Sequence, residues 1–163
     1  KLTSVEDETL IAGSNGKVIR FEEDEVRPMG RTASGVRGFN TDGGTVVGVA
    51  VSHEGKYLLS VSENGYGKRS EIDEYRKTNR GNKGVKTINV TTKTGSLVTV
   101  RAVNGDEDAM IVTDKGIIIR IALDHVGVYG RNTQGVKLIN VADDETVTKV
   151  AVVARNEEEQ SEE

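Results

Sequence analysis

The chain has no cysteine and no tryptophan, a single proline (Pro28), and only two phenylalanines and four tyrosines. Without thiols it can build neither a disulfide frame nor a thiolate metal site, which fits a reducing cytoplasm. No apolar run approaches the roughly 18 residues needed to span a bilayer, and the amino end lacks a signal-peptide pattern. The Asn89-Val90-Thr91 sequon therefore reads as accidental. So few aromatic rings argue against a platform on which single-stranded bases stack. The two histidines, His53 and His125, stand alone without a matching nucleophile or metal-ligand spacing. The carboxylate clusters at 22–25 and 106–108 read as solvated turns, and nothing has the form of an active site.

What the chain has is Val, Ile, Leu and Ala, with 19 glycines. This composition favours strands joined by tight turns. No stretch sustains a 3.6-residue apolar period, so an all-β fold is expected. The strands come in a repeating order. Leu10-Ile11-Ala12, Asn15-Gly16 and Val18-Ile19-Arg20-Phe21 form a hairpin signal that returns as Leu58–Val61, Asn64-Gly65, Tyr66–Arg69. It returns again as Met110–Val112, Lys115-Gly116, Ile117–Arg120. A Val-rich strand is expected in each unit at Val46–Val51, Leu97–Val103 and Val147–Val153.

Between those strands lies a basic loop bracketed by glycine. Gly30-Arg31-Thr32-Ala33-Ser34-Gly35-Val36-Arg37, Asn79-Arg80-Gly81-Asn82-Lys83-Gly84-Val85-Lys86 and Gly130-Arg131-Asn132-Thr133-Gln134-Gly135-Val136-Lys137 share one plan. Arg stands four residues before a Gly, then come Val and a second cation. The arginines at 31, 80 and 131 are 49 and 51 residues apart, and so are the glycines at 35, 84 and 135. Each turn glycine (16, 65, 116) stands 19 residues before its loop glycine. A period near fifty with four short strands per unit is the signature of a propeller-like array. The expected units are 8–55, 56–107 and 108–155. Residues 1–7 read as the end of a preceding repeat, and 156–163 as a disordered acidic tail. Three units are too few to close a propeller ring, so open sheet edges must be capped, extended by further repeats, or paired by self-association.

The net charge of −4 hides an asymmetry. Without residues 156–163 the body carries 22 Lys and Arg against 21 acids, and seven of those cations fall between Lys68 and Lys86. Arg grips a phosphate with two parallel hydrogen bonds, and neighbouring glycines let backbone N–H groups approach an anion. Three such loops in register along one rim suit a phosphate backbone, read without base contacts. The competing structural reading is ordinary turn glycines beside a solvated cationic face. Arg20, Arg69 and Arg120 recur four residues after the turn glycines; they either extend the rim or pair with neighbouring groups along the sheet. Tyr66 and Tyr75 lie near the richest basic segment and either touch nucleic acid or pack with the hydroxyl at the surface. Gly30-x4-Gly35 lacks the Lys-Ser or Lys-Thr that a nucleotide phosphate loop needs, because Val36 follows it.

Gly30-Arg31-x3-Gly35-Val36-Arg37-Gly38, Gly65-Tyr66-Gly67-Lys68-Arg69, Asn79–Lys86 and Gly130-Arg131-x3-Gly135-Val136-Lys137 together resemble the carboxy-terminal domains of DNA gyrase A subunits, with the topoisomerase IV domains as close relatives. The resemblance covers almost everything from Glu8 to Val153. It implies a β-pinwheel whose blades exchange strands, the chain supplying the last three repeats of a six-bladed ring. It also implies a basic perimeter that bends double-stranded DNA, through Arg31, Arg37, Lys68, Arg69, Arg76, Arg80, Lys83, Lys86, Arg131 and Lys137. The implied partners are the B subunit of an A2B2 gyrase holoenzyme and the rest of the A subunit. The catalytic tyrosine, ATP and Mg2+ belong to that parent, and the resemblance implies no cofactor for this chain. The gyrase box Gln-Arg-Arg-Gly-Gly-Lys-Gly does not occur; Asn79-Arg80-Gly81-Asn82-Lys83-Gly84 resembles a degenerate copy. The alternatives are a topoisomerase IV-type domain, or a propeller-like module that binds an acidic protein.

Overall fold

Three antiparallel sheets follow one another along the chain in the computed structural model, which describes residues 1–155. The expectation of a disordered tail falls on 156–163 and lies outside the described residues. The strands are β1 (Glu8–Gly13), β2 (Lys17–Glu22), β3 (Val46–Val51), β4 (Tyr57–Ser62), β5 (Tyr66–Glu71) and β6 (Val85–Lys86). They continue with β7 (Leu97–Val103), β8 (Glu107–Thr113), β9 (Ile118–Ala122), β10 (Val136–Lys137) and β11 (Val147–Ala154). Each of the three hairpins stands where the apolar runs placed it: Ile11 faces Ile19, Leu59 faces Arg69 and Ile111 faces Ile119.

The hairpin turns differ from the expected two-residue form, in which both turn residues take positive φ. Only the glycine does so in each: Gly16 (φ 80°), Gly65 (φ 85°) and Gly116 (φ 78°). The N–H of each of these donates to the carbonyl three residues back, on Gly13, Ser62 and Thr113. The connection is thus a three-residue loop that closes on a left-handed glycine, and the residue before it keeps ordinary backbone geometry. That is why Lys115 can stand where Asn15 and Asn64 stand.

The sheets exchange strands. Their orders are β3-β1-β2-β6, β10-β5-β4-β7 and β11-β8-β9. The two-residue β6 leaves its own unit to pair with β2, placing Val85 opposite Val18 and Lys86 opposite Lys17. In the same way β10 pairs with β5, with Val136 opposite Gly67 and Lys137 opposite Tyr66. Among the described residues two of the sheets have four strands and the third has three. The corresponding residues of the first loop, Val36 and Arg37, belong to no strand.

The core lies between the sheets rather than within one. Leu10, Ala12, Val18 and Ala50 of the first sheet pack with Leu58, Ile72, Tyr75, Ile88, Leu97 and Val100. Leu59, Val61 and Val103 turn the other way, onto Ala109, Ile111, Leu123, Val126, Ile139, Val147 and Val150. Alternation along β4 sends Leu58 to one interface and Leu59 to the other. Each sheet owes its burial to its neighbours, so the three should melt together. Leu58→Ala and Leu59→Ala are each expected to lower stability by about 2–5 kcal/mol in a single urea transition shared by fluorescence and circular dichroism. Separate transitions for the two variants would mean that the blades fold independently.

Candidate nucleic-acid interface

Loop glycines set the position of the exchanged strands. A Cβ on Gly84 would collide with the Val18 carbonyl, and one on Gly135 with the Gly67 carbonyl. Both residues also hold positive φ, 72° and 76°. Glycine at these points lets the loop lie flat against the preceding sheet, and the next two residues then add their strand. This places the second cation of the loop, Lys86 or Lys137, at the exposed end of the neighbouring blade.

The first cation of each loop ties consecutive loops together. The Arg80 N–H donates to Glu25 Oε2 at 2.8 Å, its Nε to the Glu25 carbonyl at 3.1 Å and its Nη1 to the Arg37 carbonyl at 3.2 Å. Arg131 repeats the pattern one unit later, its N–H on Glu74 Oε2 at 3.0 Å and its Nη1 on the Lys86 carbonyl at 2.9 Å. Each guanidinium has five N–H donors and spends only one or two on carbonyls. Arg80 and Arg131 are half-buried, whereas Arg31, Arg37, Arg76, Lys83, Lys86 and Lys137 are exposed. Lys83 is paired with Asp42 at 2.8 Å. Among the described residues no carboxylate lies within ion-pair distance of Arg31, Arg37, Arg76, Arg80, Lys86, Arg131 or Lys137.

Two sequence-selected cations are not on this surface. Lys68 is fully buried, and its ammonium donates to the carbonyls of Gly130 and Arg131 and to Thr133 Oγ1. Burial lowers its pKa to about 8, with the Arg131 charge acting in the same direction. Two carbonyls and a hydroxyl still favour the protonated form, so Lys68 holds the third loop against the second sheet from beneath. Arg69 is buried as well, its Nε on the Val126 carbonyl at 2.8 Å and its guanidinium 5.1 Å from the Tyr57 ring centre.

Arg69 belongs to a set whose role the sequence leaves open. Arg20 Nη1 donates to the carbonyls of Ile72 (2.9 Å) and Tyr75 (2.8 Å) in the next unit, while its other nitrogens hold Glu8. Burial pushes the Glu8 carboxyl up, but Arg20 and Lys77 more than offset it, and the net shift is below the ordinary range. The repeated Arg is thus a clamp between blades, receiving the single 3-10 turn that follows the next unit's hairpin. Arg120, in the third sheet, receives no such turn among the described residues; it is exposed and pairs with Asp108 at 2.7 Å. Regular spacing is visible in sequence, but the acceptors are backbone carbonyls some fifty residues away and carry no side-chain signal.

The two tyrosines part company. Tyr75 is fully buried, not surface-tipped; its hydroxyl bonds Thr87 Oγ1, which lies 3.0 Å from Ser60 Oγ, and burial pushes its pKa up to about 12. Tyr66 stays at the rim with Lys93 and Lys137 over its ring, at 5.5 and 5.8 Å from the centroid. An open groove of about 260 Å³ there is lined by Asn64, Tyr66, Lys93, Lys137 and Asp143. Among the described residues no group of three or more His, Asp or Glu is placed to hold a metal ion. No helix among them is long and apolar enough to cross a membrane.

The array of three sheets is similar to known proteins. The family model for the DNA gyrase C-terminal domain, beta-propeller, matches residues 7–53, 56–104 and 107–154. The chain belongs to this family. It is 47% identical over 147 residues to the DNA gyrase A subunit of Ureaplasma parvum serovar 3, covering 90% of this chain and 18% of that protein. It is 44% identical over 165 residues to the corresponding gyrase protein of Staphylococcus aureus strain MRSA252, covering 99% of this chain and 19% of that protein. The chain thus spans less than a fifth of the curated relatives it matches. Among solved structures, the DNA gyrase A C-terminal domain superposes with a TM-score of 0.84 at 27% identity, over 93% of this chain and 52% of that one. The C-terminal domain of DNA topoisomerase IV gives 0.86 at 21% identity, over 94% and 49%, a likeness of fold.

The clamp makes a sharp contrast within the gyrase-type array. Arg20→Met removes the largely buried ion pair with Glu8 and the guanidinium that the Tyr75 carbonyl accepts from, and is expected to cost about 3–5 kcal/mol. Arg120→Met removes an exposed pair and is expected to cost less than about 1 kcal/mol. Chemical denaturation of the two variants checks this; equal losses would contradict the clamp.

Proposed function

We propose that this chain binds duplex DNA along its blade perimeter and bends it, as a non-catalytic carboxy-terminal part of a gyrase A subunit that supports negative supercoiling. The observation that carries the reading is the exposure of Arg37, Lys86 and Lys137, which occupy the same position in their three loops. Each is the second cation of its loop, exposed, and without a carboxylate partner among the described residues. With Arg31, Arg76, Arg80, Lys83 and Arg131 they form a track that recurs once per blade. Contacts so distributed suit a backbone of regularly spaced phosphates, and several are needed together to offset the several kcal/mol that bending a duplex costs. Lys68 and Arg69 act beneath the track, holding the third loop in place.

The reading leaves strand cleavage and ATP hydrolysis to the remainder of the parent enzyme, its B subunits included, in a bacterial cytoplasm. The family's relatives are gyrase A subunits at 44–47% identity, whereas the topoisomerase IV likeness rests on fold, so the gyrase assignment is the one favoured.

Fluorescence anisotropy with a labelled duplex across a salt series tests the track. Log K is expected to fall linearly with log salt, by about 0.9 for each phosphate neutralised. Replacing Arg37, Lys86 and Lys137 together by Ala should flatten that slope, while Lys149→Ala, on β11, should leave it unchanged. An unaltered slope in the triple variant would place the DNA elsewhere.

A further inference from the structure

The turn that precedes each Val-rich strand reverses its charge at the middle blade. The N–H groups of Ser14, Glu63 and Asp114 donate to the carbonyls of Thr45, Ser96 and Thr146, which makes those three acceptor positions equivalent. Three residues before them stand Asp42, Lys93 and Asp143. A hairpin asparagine carries the first two turns. Asn15 Nδ2 donates to the Thr41 carbonyl at 3.0 Å, and Asn64 Nδ2 to the carbonyls of Thr92 and Lys93 at 3.3 and 3.0 Å. Lys93 is thus an exposed cation on a tethered backbone, and it lies outside the repeating basic loops.

At the first junction the chain supplies an anion of its own. Lys86 lies opposite Lys17 across the exchanged strand, a like-charge pair that is unfavourable by itself. The Asp42 carboxylate offsets it, pairing with Lys83 Nζ at 2.8 Å and Lys17 Nζ at 3.2 Å. Those two ammonium groups, Lys83 foremost, hold its carboxyl below the ordinary carboxylate range. At the second junction Tyr66 stands in place of Lys17, Lys93 in place of Asp42 and Gln134 in place of Lys83. Lys137 lies opposite Tyr66, and the ammonium groups of Lys93 and Lys137 both stand over its ring. The negative face of the ring attracts both cations and lets them share one site. Asp143 also lines the groove there, but it lies beyond ion-pair distance of both lysines.

We propose that the groove of Tyr66, Lys93 and Lys137 is a site for one backbone phosphate of duplex DNA, and that Asp42 masks the corresponding place at the first junction. The inference deepens the DNA reading and rests on it. The first junction shows what this place accepts: an anion shared by two lysines from different elements. Where the chain puts Lys93 instead of Asp42, the anion comes from outside. Tyr66 is a positioning residue, holding both ammonium groups over one groove against their mutual repulsion. Lys93 adds a contact that the basic loops do not contain. The junctions thus differ in kind, the cations of the first partly neutralised within the chain and those of the second left for the duplex.

Fluorescence anisotropy with a labelled duplex, on the full chain across a salt series, tests the site. Lys93→Ala is expected to weaken binding and to make the slope of log K against log salt shallower by about 1. Lys149→Ala removes the same charge from β11 and leaves the slope unchanged. Tyr66→Leu keeps both lysines, so it should preserve the slope while weakening binding by about two- to fivefold. Asp42→Asn releases Lys17 and Lys83 and should steepen the slope by about 1 to 2; Asn suits the positive φ of 50° at that position. A slope that Lys93→Ala alters no more than Lys149→Ala does, or an Asp42→Asn slope equal to that of the unaltered chain, would overturn the proposal. If replacing Arg37, Lys86 and Lys137 still flattens the slope in that case, the wider DNA reading stands without this site. No duplex binding by the unaltered chain would overturn both.

Discussion

Everything in this molecule depends on a strand only two residues long. Val85-Lys86 and Val136-Lys137 each leave their own unit and complete the sheet before it. Such a short strand contributes few hydrogen bonds, so it is held by what surrounds it: a glycine pressed on a carbonyl, an arginine reaching the previous loop, and a buried polar or apolar plug beneath. At the first junction that plug is Thr87 with Tyr75 and Ser60; at the second, Leu138 and Ile139 take the corresponding place. The exchange couples neighbouring sheets whose apolar faces would otherwise be exposed, and stability is thereby a property of junctions.

The same constraint produces the candidate surface. A strand donated to a neighbour must begin at the rim, and the residue that ends it is a cation in both donating loops, Lys86 and Lys137. Lys86 and Lys137 are placed at their blades by the backbone of the donated strand. The interior cations serve a different purpose. Arg20, Arg69 and Lys68 spend their donors on backbone carbonyls of the following unit. Positive charge in this array thus has two tasks, binding one blade to the next and facing outward. Burial separates them.

Much of this is legible in the sequence. The period, the three hairpins and the Val-rich strands are written in alternating apolar runs, and β3 and β7 have the expected bounds. Register alone picks out the loop glycines and their cations. The partner of β6 is not readable from its residues, because two residues carry no period. Lys68 reads as a rim cation since it sits in a basic segment, but its acceptors lie more than sixty residues onward in a loop. Arg20, Arg69 and Arg120 share a position and differ in burial only because the third has no following unit among the described residues. The hairpin type is obscured for a simpler reason: Asn-Gly suits two turn geometries, and the Lys115-Gly116 copy is the clue that only glycine must be left-handed.

The most direct test of the perimeter reading is the dependence of affinity on duplex length. A track that recurs once per blade engages more phosphates as the duplex lengthens, until its last blade is covered. The dissociation constant should therefore fall more steeply than the number of available binding registers rises, then level off. A constant that merely follows the number of registers would mean a single local contact, and would contradict DNA bending by these blades.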